Sequence, residues 1–103
     1  MTKERKTAFE TRCVHGAYKA KSGEPQVLPI VQNTTYRYYN AKDVADLFDL
    51  ESPNFMYTRL GSPTVKALEN KMALLEGGTA GIATSSGQAA TLITVLNLCN
   101  AGD

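Results

Sequence analysis

The sequence has no tryptophan, one histidine, two cysteines and no excess charge of either sign, and each shortage closes off a class of function. Eleven Lys and Arg against ten Asp and Glu leave a formal net charge of +1, too little to build a surface that neutralises nucleic-acid phosphates or an anionic membrane. Cys13 and Cys99 lie far apart without a CxxC pair, and His15 is the only imidazole. That combination offers neither a set of zinc ligands nor a disulfide framework. The longest apolar run, Ala89 to Cys99, is broken by Thr91, Thr94 and Asn97 and is far shorter than the roughly 20 residues a membrane span needs. Met1 to Lys6 carries charge with no apolar stretch behind it, so Lys3, Arg5 and Lys6 read as a solvated tail and not a secretory signal. The expected location is the cytoplasm. Neither a P-loop nor a GxGxxG pattern occurs, which removes the common nucleotide fingerprints.

What is present divides near residue 62. In the half before it, residues 1 to 40 hold Gly16, Gly23, Pro25 and Pro29 and no sustained helical stripe, with an extended reading from Val27 to Tyr39. Such a segment is an arm. Asn40 followed by Asp43 then makes a capping-box-like start for a short helix to about Leu50, with Val44, Leu47 and Phe48 on one face and Pro53 beyond its end. Ser62 and Pro63 then open a second helix that Gly77-Gly78 closes, with Val65, Leu68, Met72 and Leu75 on its apolar face. Thr79 to Thr84 reads as a short buried strand. Gln88 to Asn100 is apolar around nearly its whole circumference, so a helix there expects cover on several sides. Helix, strand and all-round apolar helix are the opening of an α/β layer structure, and one strand makes no sheet. The expectation is therefore an incomplete α/β fold, part of a larger protein.

Two places could carry chemistry. Thr84-Ser85-Ser86-Gly87 ahead of a helix suits a phosphate, because the first helical amides lack internal partners and carry the positive end of the dipole. The amides of Gly87 and Gln88 are the natural donors, with the Ser85 or Ser86 hydroxyl beside them; a Ser86 that only caps a helix is the bland alternative. Tyr57 and Arg59, two apart in an extended segment, put a phenol and a guanidinium side by side. They could grip an anion together, or Arg59 could pair with Glu51 or Asp49 beside a half-buried Tyr57. His15 reads as a structural or surface histidine and takes no role. Tyr36, Tyr38 and Tyr39 read as packing of the arm against a partner subunit, given the neutral charge.

Asn54 to Thr64 with its Tyr57-Thr58-Arg59 and Ser62-Pro63-Thr64, Leu74-Leu75-Glu76-Gly77-Gly78, and Ser85-Ser86-Gly87-Gln88-Ala89-Ala90 together resemble, in order and spacing, the Cys/Met-metabolism family of pyridoxal-phosphate enzymes. Thr11 to Gly16 and Leu28 to Thr34 are similar to that family's amino-terminal arm, so the resemblance spans nearly the whole chain. Gln88-Ala89-Ala90, Asp46 to Asn54 and Leu96-Asn97-Leu98 are most like the members that exchange the acetyl group of O-acetylhomoserine for sulfide.

The resemblance implies a type I pyridoxal-phosphate-dependent transferase fold, with residues 1–61 as an arm making intersubunit contacts and 62–103 as the start of the cofactor-binding large domain. It implies pyridoxal 5'-phosphate as cofactor and an amino-acid substrate with sulfide. It also implies a homo-oligomer, a dimer of dimers in the full enzyme. Tyr57 and Arg59 would reach the cofactor phosphate of the neighbouring subunit, while Ser86, Gly87 and Gln88 would bind it from their own. The implied overall reaction releases acetate and forms homocysteine; a γ-lyase, a β-lyase, a cystathionine synthase or an inactive stand-alone interaction module are the alternatives. Two departures stand out. Ser62 replaces the family's usual Asn before Pro-Thr, and none of the seven lysines has the Ser-x-Thr-Lys setting of the family's Schiff-base lysine. The 103 residues are thus expected to contain no catalytic residue and to be inactive alone.

Overall fold

Asn40 starts a helix by a reciprocal cap: its Oδ1 accepts from the Asp43 amide at 2.8 Å and its Nδ2 donates to Asp43 Oδ2 at 2.8 Å. One orphan amide at that terminus is thereby satisfied, and the side-chain pair holds the cap in place. The structure, a computed structural model, describes residues 7–103; Met1 to Lys6, with the expected cationic tail, lies outside the described residues. In chain order the helices are α1 (Phe9–His15), α2 (Ala41–Phe48), α3 (Pro63–Glu76) and α4 (Gly87–Leu98).

The termini of α3 follow the sequence reading. Pro63 occupies its first turn, where a missing N–H costs nothing, and Gly77 ends it at φ 69°, in the left-handed region glycine tolerates. Ser62, expected to cap it through its side chain, makes no such bond. It is instead buried at that terminus, its carbonyl accepting from the Lys66 amide at 2.8 Å.

Helix α1 was not expected, since the arm shows no helical stripe. Its start at Ala8 has no side-chain cap, and tertiary contact makes up the difference. The Lys71 ammonium donates to the carbonyls of Arg12 and Cys13 at 3.3 and 3.0 Å, and Arg12 Nη1 donates to the Leu74 carbonyl at 3.4 Å. A cation on the last carbonyls of a helix stabilises that end. Gly16 follows at the crossing, where a Cβ would strike the Leu74 side chain and lie 2.5 Å from the Arg12 carbonyl oxygen. Among the described residues α1 and α3 are the only helices in contact.

The expected strand at 79–84 is absent: no strand occurs among the described residues, only one antiparallel bridge between Thr35 and Tyr57. The reason is the one that made the fold look incomplete. A strand exists through its ladder, and no neighbouring strand is available, so the segment runs without one and Ile82 is 81% exposed. No sheet therefore forms among the described residues, which are helices joined by extended chain.

Burial is correspondingly sparse. Leu47 and Ser62 are the only buried residues among those described, and Leu92, Ile93, Val95, Leu96 and Leu98 of α4 are all exposed. The chain exposes 9203 Å², whereas a compact chain of its mass would expose roughly 5,700 Å². Its radius of gyration is 17.1 Å, against about 13 Å for a compact domain of this length. Among the described residues no helix is long and apolar enough to cross a membrane.

Candidate functional site

The Tyr57–Arg59 segment is held in place by the arm. Thr58 donates its amide to the Thr34 carbonyl at 2.9 Å, the Tyr36 amide donates to the Met56 carbonyl at 3.2 Å, and the Thr58 hydroxyl bonds the Asn33 carbonyl. Tyr36 stacks obliquely on Phe55 with ring centroids 5.9 Å apart, and the Tyr38 hydroxyl donates to the Phe55 carbonyl at 2.7 Å. Tyr36 and Tyr38 thus make contacts within the chain while staying half-exposed, and Tyr39 is 89% exposed.

Beyond Tyr57 the chain is not extended. The amides of Leu60 and Gly61 both donate to the Tyr57 carbonyl, at 2.9 and 3.1 Å, so the backbone turns. The turn still brings the two side chains together, with the Arg59 guanidinium 5.0 Å from the Tyr57 ring centroid, a cation–π arrangement. Among the described residues no carboxylate pairs with Arg59, the ion pairs being Lys42–Asp46 and Lys66–Glu69. The alternative pairing with Glu51 or Asp49 is therefore not formed. Arg59 keeps its donors and borders an open groove of about 490 Å³ shared with Leu47, Val65 and Glu69.

The second site is the start of α4. Ser86 Oγ accepts from the Ala89 amide at 3.1 Å, the Ser86 carbonyl accepts from the Ala90 amide at 3.1 Å, and Thr84 Oγ1 donates to the same carbonyl at 2.8 Å. Ser86 is therefore a true cap. Capping uses its lone pair and leaves its O–H free to donate outward. The amides of Gly87 and Gln88 have no partner among the described residues, and a Cβ at Gly87 would meet nothing within 4 Å. Two unpartnered amides, a hydroxyl and open space at a helix N-terminus fit the oxygens of a phosphate group.

The structure does not bring the two sites together. No hydrogen bond or ion pair joins Tyr57 or Arg59 to residues 85–88 among those described, and α4 touches no other helix. A further hollow of about 480 Å³ lies against α1 and α3 and includes His15 and Lys71, but the Lys71 ammonium is committed to the α1 carbonyls. Cys13 and Cys99 are free, exposed thiols. Two groups that sequence reasoning passed over are Thr58, which clamps the arm to the Tyr57 turn, and Glu69, whose carboxylate accepts from the Ala83 amide at 2.9 Å. Thr58 sits inside the Tyr57-Thr58-Arg59 motif without a role of its own there, and no sequence signal marks a side chain whose partner lies 14 or more residues away.

Comparison with known proteins gives one answer at three levels. The sequence profile described as "Cys/Met metabolism PLP-dependent enzyme" matches residues 10–103. The O-acetyl-L-homoserine sulfhydrylase of Corynebacterium glutamicum is 45% identical over 92% of this chain and 22% of its own length. The homocysteine/cysteine synthase of Kluyveromyces lactis is 41% identical over the same shares. An L-methionine gamma-lyase of Fusobacterium nucleatum is 38% identical over 96% of this chain and 25% of its own length. A Campylobacter jejuni crystal structure, described as an O-acetylhomoserine (thiol)-lyase carrying a pyridoxyl-lysine phosphate, superposes with a TM-score of 0.83 at 37% identity, covering 94% of this chain and 23% of that one. The chain thus spans about a fifth to a quarter of the length of the relatives it matches.

Proposed function

The chain belongs to the Cys/Met-metabolism family of pyridoxal-phosphate-dependent enzymes, and from that premise we propose that it serves as the amino-terminal region of an O-acetylhomoserine sulfhydrylase. The overall reaction replaces the acetoxy group of O-acetylhomoserine with sulfide, releasing acetate and forming homocysteine for methionine biosynthesis in the cytoplasm. Support for the substrate comes from relatives named for that reaction. The observation that carries the role of this region is the capped α4 terminus, with unpartnered Gly87 and Gln88 amides opening onto free space.

Bound pyridoxal phosphate supplies an electron sink for carbanion chemistry at the substrate amino acid. The part played by this chain is to hold the phosphate end. Gly87 and Gln88 amides and the Ser86 hydroxyl donate to phosphate oxygens, and the helix terminus favours the negative charge. Tyr57 and Arg59 add a neutral donor and a fixed cation. Following the family resemblance, we assign them to the phosphate of a neighbouring subunit, with residues 1–61 as the interface arm and 62–103 as the start of the cofactor-binding domain; their separation from α4 in their own chain is compatible with that. Fixing the phosphate fixes the reactive end of the cofactor, a positioning effect. None of the seven lysines has the sequence setting of a cofactor-bearing lysine, so residues 1–103 alone are proposed to be inactive.

A methionine γ-lyase is the second reading, favoured by the 38% identity to that enzyme of Fusobacterium nucleatum. The two separate in one assay of the enzyme that carries this region. Homocysteine from O-acetylhomoserine plus sulfide, with no thiol released from methionine alone, supports the first; the reverse pattern replaces it with the second.

A further inference from the structure

The route from α3 to the α4 terminus runs through residues 77–86, which have no sheet neighbour to fix them. One residue grips that route twice. Glu69 on α3 accepts the Ala83 amide on Oε1 at 2.9 Å, while its Oε2 lies 3.4 Å from the Lys66 ammonium. Its backbone carbonyl lies directly under Gly81, where a Cβ would come within 2.8 Å. The Glu69 side chain itself is only 16% exposed, although the Ala83 amide that it holds lies at the surface. Ala83 stands three residues before Ser86, and Thr84 between them ties itself to the Ser86 carbonyl. A continuous set of fixed contacts therefore links the side chain of Glu69 to the phosphate-facing amides.

We propose that Glu69 is a positioning residue for the cofactor phosphate, acting through the Ala83 amide to set the distance and direction of the Ser86–Gln88 turn. This rests on the reading of that turn as the phosphate site. The carboxylate itself touches no phosphate oxygen, and Lys66 offsets its charge and orients it. Gly81 is part of the same device, since only a residue without a side chain lets the route lie against the Glu69 carbonyl.

The test uses the holoenzyme carrying this region and three variants. Glu69→Gln keeps an acceptor at the same place, Glu69→Met keeps length and packing without an acceptor, and Gly87→Val fills the space over the turn. Each is read by pyridoxal-phosphate titration of the apoenzyme and by the phosphorus-31 resonance of the bound cofactor. Glu69→Met should weaken binding by about 10-fold, the scale of one charge-assisted hydrogen bond, and move the resonance, while Glu69→Gln restores most of both. If Glu69→Met leaves affinity and resonance unchanged while Gly87→Val weakens binding, the positioning role is wrong and the phosphate site stands. Unchanged binding in Gly87→Val as well removes the phosphate reading itself. Amide exchange in the wild-type holoenzyme gives an answer even if Glu69→Met does not fold: a protected Ala83 amide is expected, and an unprotected one overturns the proposal.

Discussion

The Arg59 guanidinium lies 5.0 Å from the centroid of the Tyr57 ring, although the two residues sit on a turn and not on one face of a strand. The ring holds the cation without consuming its N–H donors, which is what an anion site needs and what an ion pair with a carboxylate would have prevented. The pair is thus pre-organised, so less side-chain entropy is lost when an anion binds.

Replacing Arg59 should accordingly hurt cofactor binding more than folding. Arg59→Ala in the full enzyme is expected to weaken pyridoxal-phosphate affinity roughly 10- to 100-fold, the range for a lost hydrogen-bonded charge, with little change in melting temperature because Arg59 is exposed. Arg59→Lys should recover only part of it, since an ammonium reproduces neither the fork nor the stacking. Saturable binding at wild-type affinity in Arg59→Ala would exclude Arg59 as an anchor.

Ser86→Ala tests the cap. It removes the acceptor for the Ala89 amide, so the first turn of α4 should lose about 1 kcal/mol. Faster hydrogen exchange at Ala89 is the direct readout. A companion Ser86→Gly should exchange at an intermediate rate, because glycine is itself a tolerable cap residue.

The sequence was legible wherever structure is decided within one turn of chain. Asn40 with Asp43, Pro63 and Gly77 each act on backbone groups next to them, and α2 and α3 appear where those residues put them. Helix α1 was not legible, because Ala8 offers no cap and the stabilising groups, Lys71 and Leu74, are some 60 residues away. The strand at 79–84 was overread for the converse reason: its composition permits extension, but its ladder partner is not in the described chain. At the candidate site the residue types were readable and the geometry was not, since the Tyr57 turn depends on bonds from Met56 and Thr58 to Tyr36 and Thr34 made across the bridge.

That bridge makes Thr58 a testable joint. Its hydroxyl reaches the Asn33 and Thr34 carbonyls, so Thr58→Val, which keeps shape and removes the donor, should destabilise the arm by about 1 kcal/mol. Limited proteolysis between residues 20 and 35 should quicken in the variant, and Thr58→Ser should behave as wild type. An unchanged cleavage rate would show that the backbone bridge holds the arm without the hydroxyl.

Gly16 tests the contact between α1 and α3. Its φ of -76° is open to any residue, so the requirement is space: a Cβ would meet the Leu74 side chain and the Arg12 carbonyl. Gly16→Ala is expected to cost about 1–3 kcal/mol through overpacking, lowering the midpoint of chemical unfolding. A neutral Gly16→Ala would mean that α1 can shift off α3 without loss.

The amount of uncovered apolar surface yields the last prediction. Helix α4 has no buried residue, and the 103-residue chain exposes more than half again the area of a compact chain of its mass. Surface of that kind associates, and a chain with so little core has little to set against its conformational entropy. Expressed by itself, the chain should be oligomeric, aggregated or partly unfolded, and should melt without a sharp transition. Native mass spectrometry with calorimetry checks both points. A monomer with a single cooperative melt would mean that α4 finds cover within the chain, and would require a packing of residues 79–98 different from the one observed.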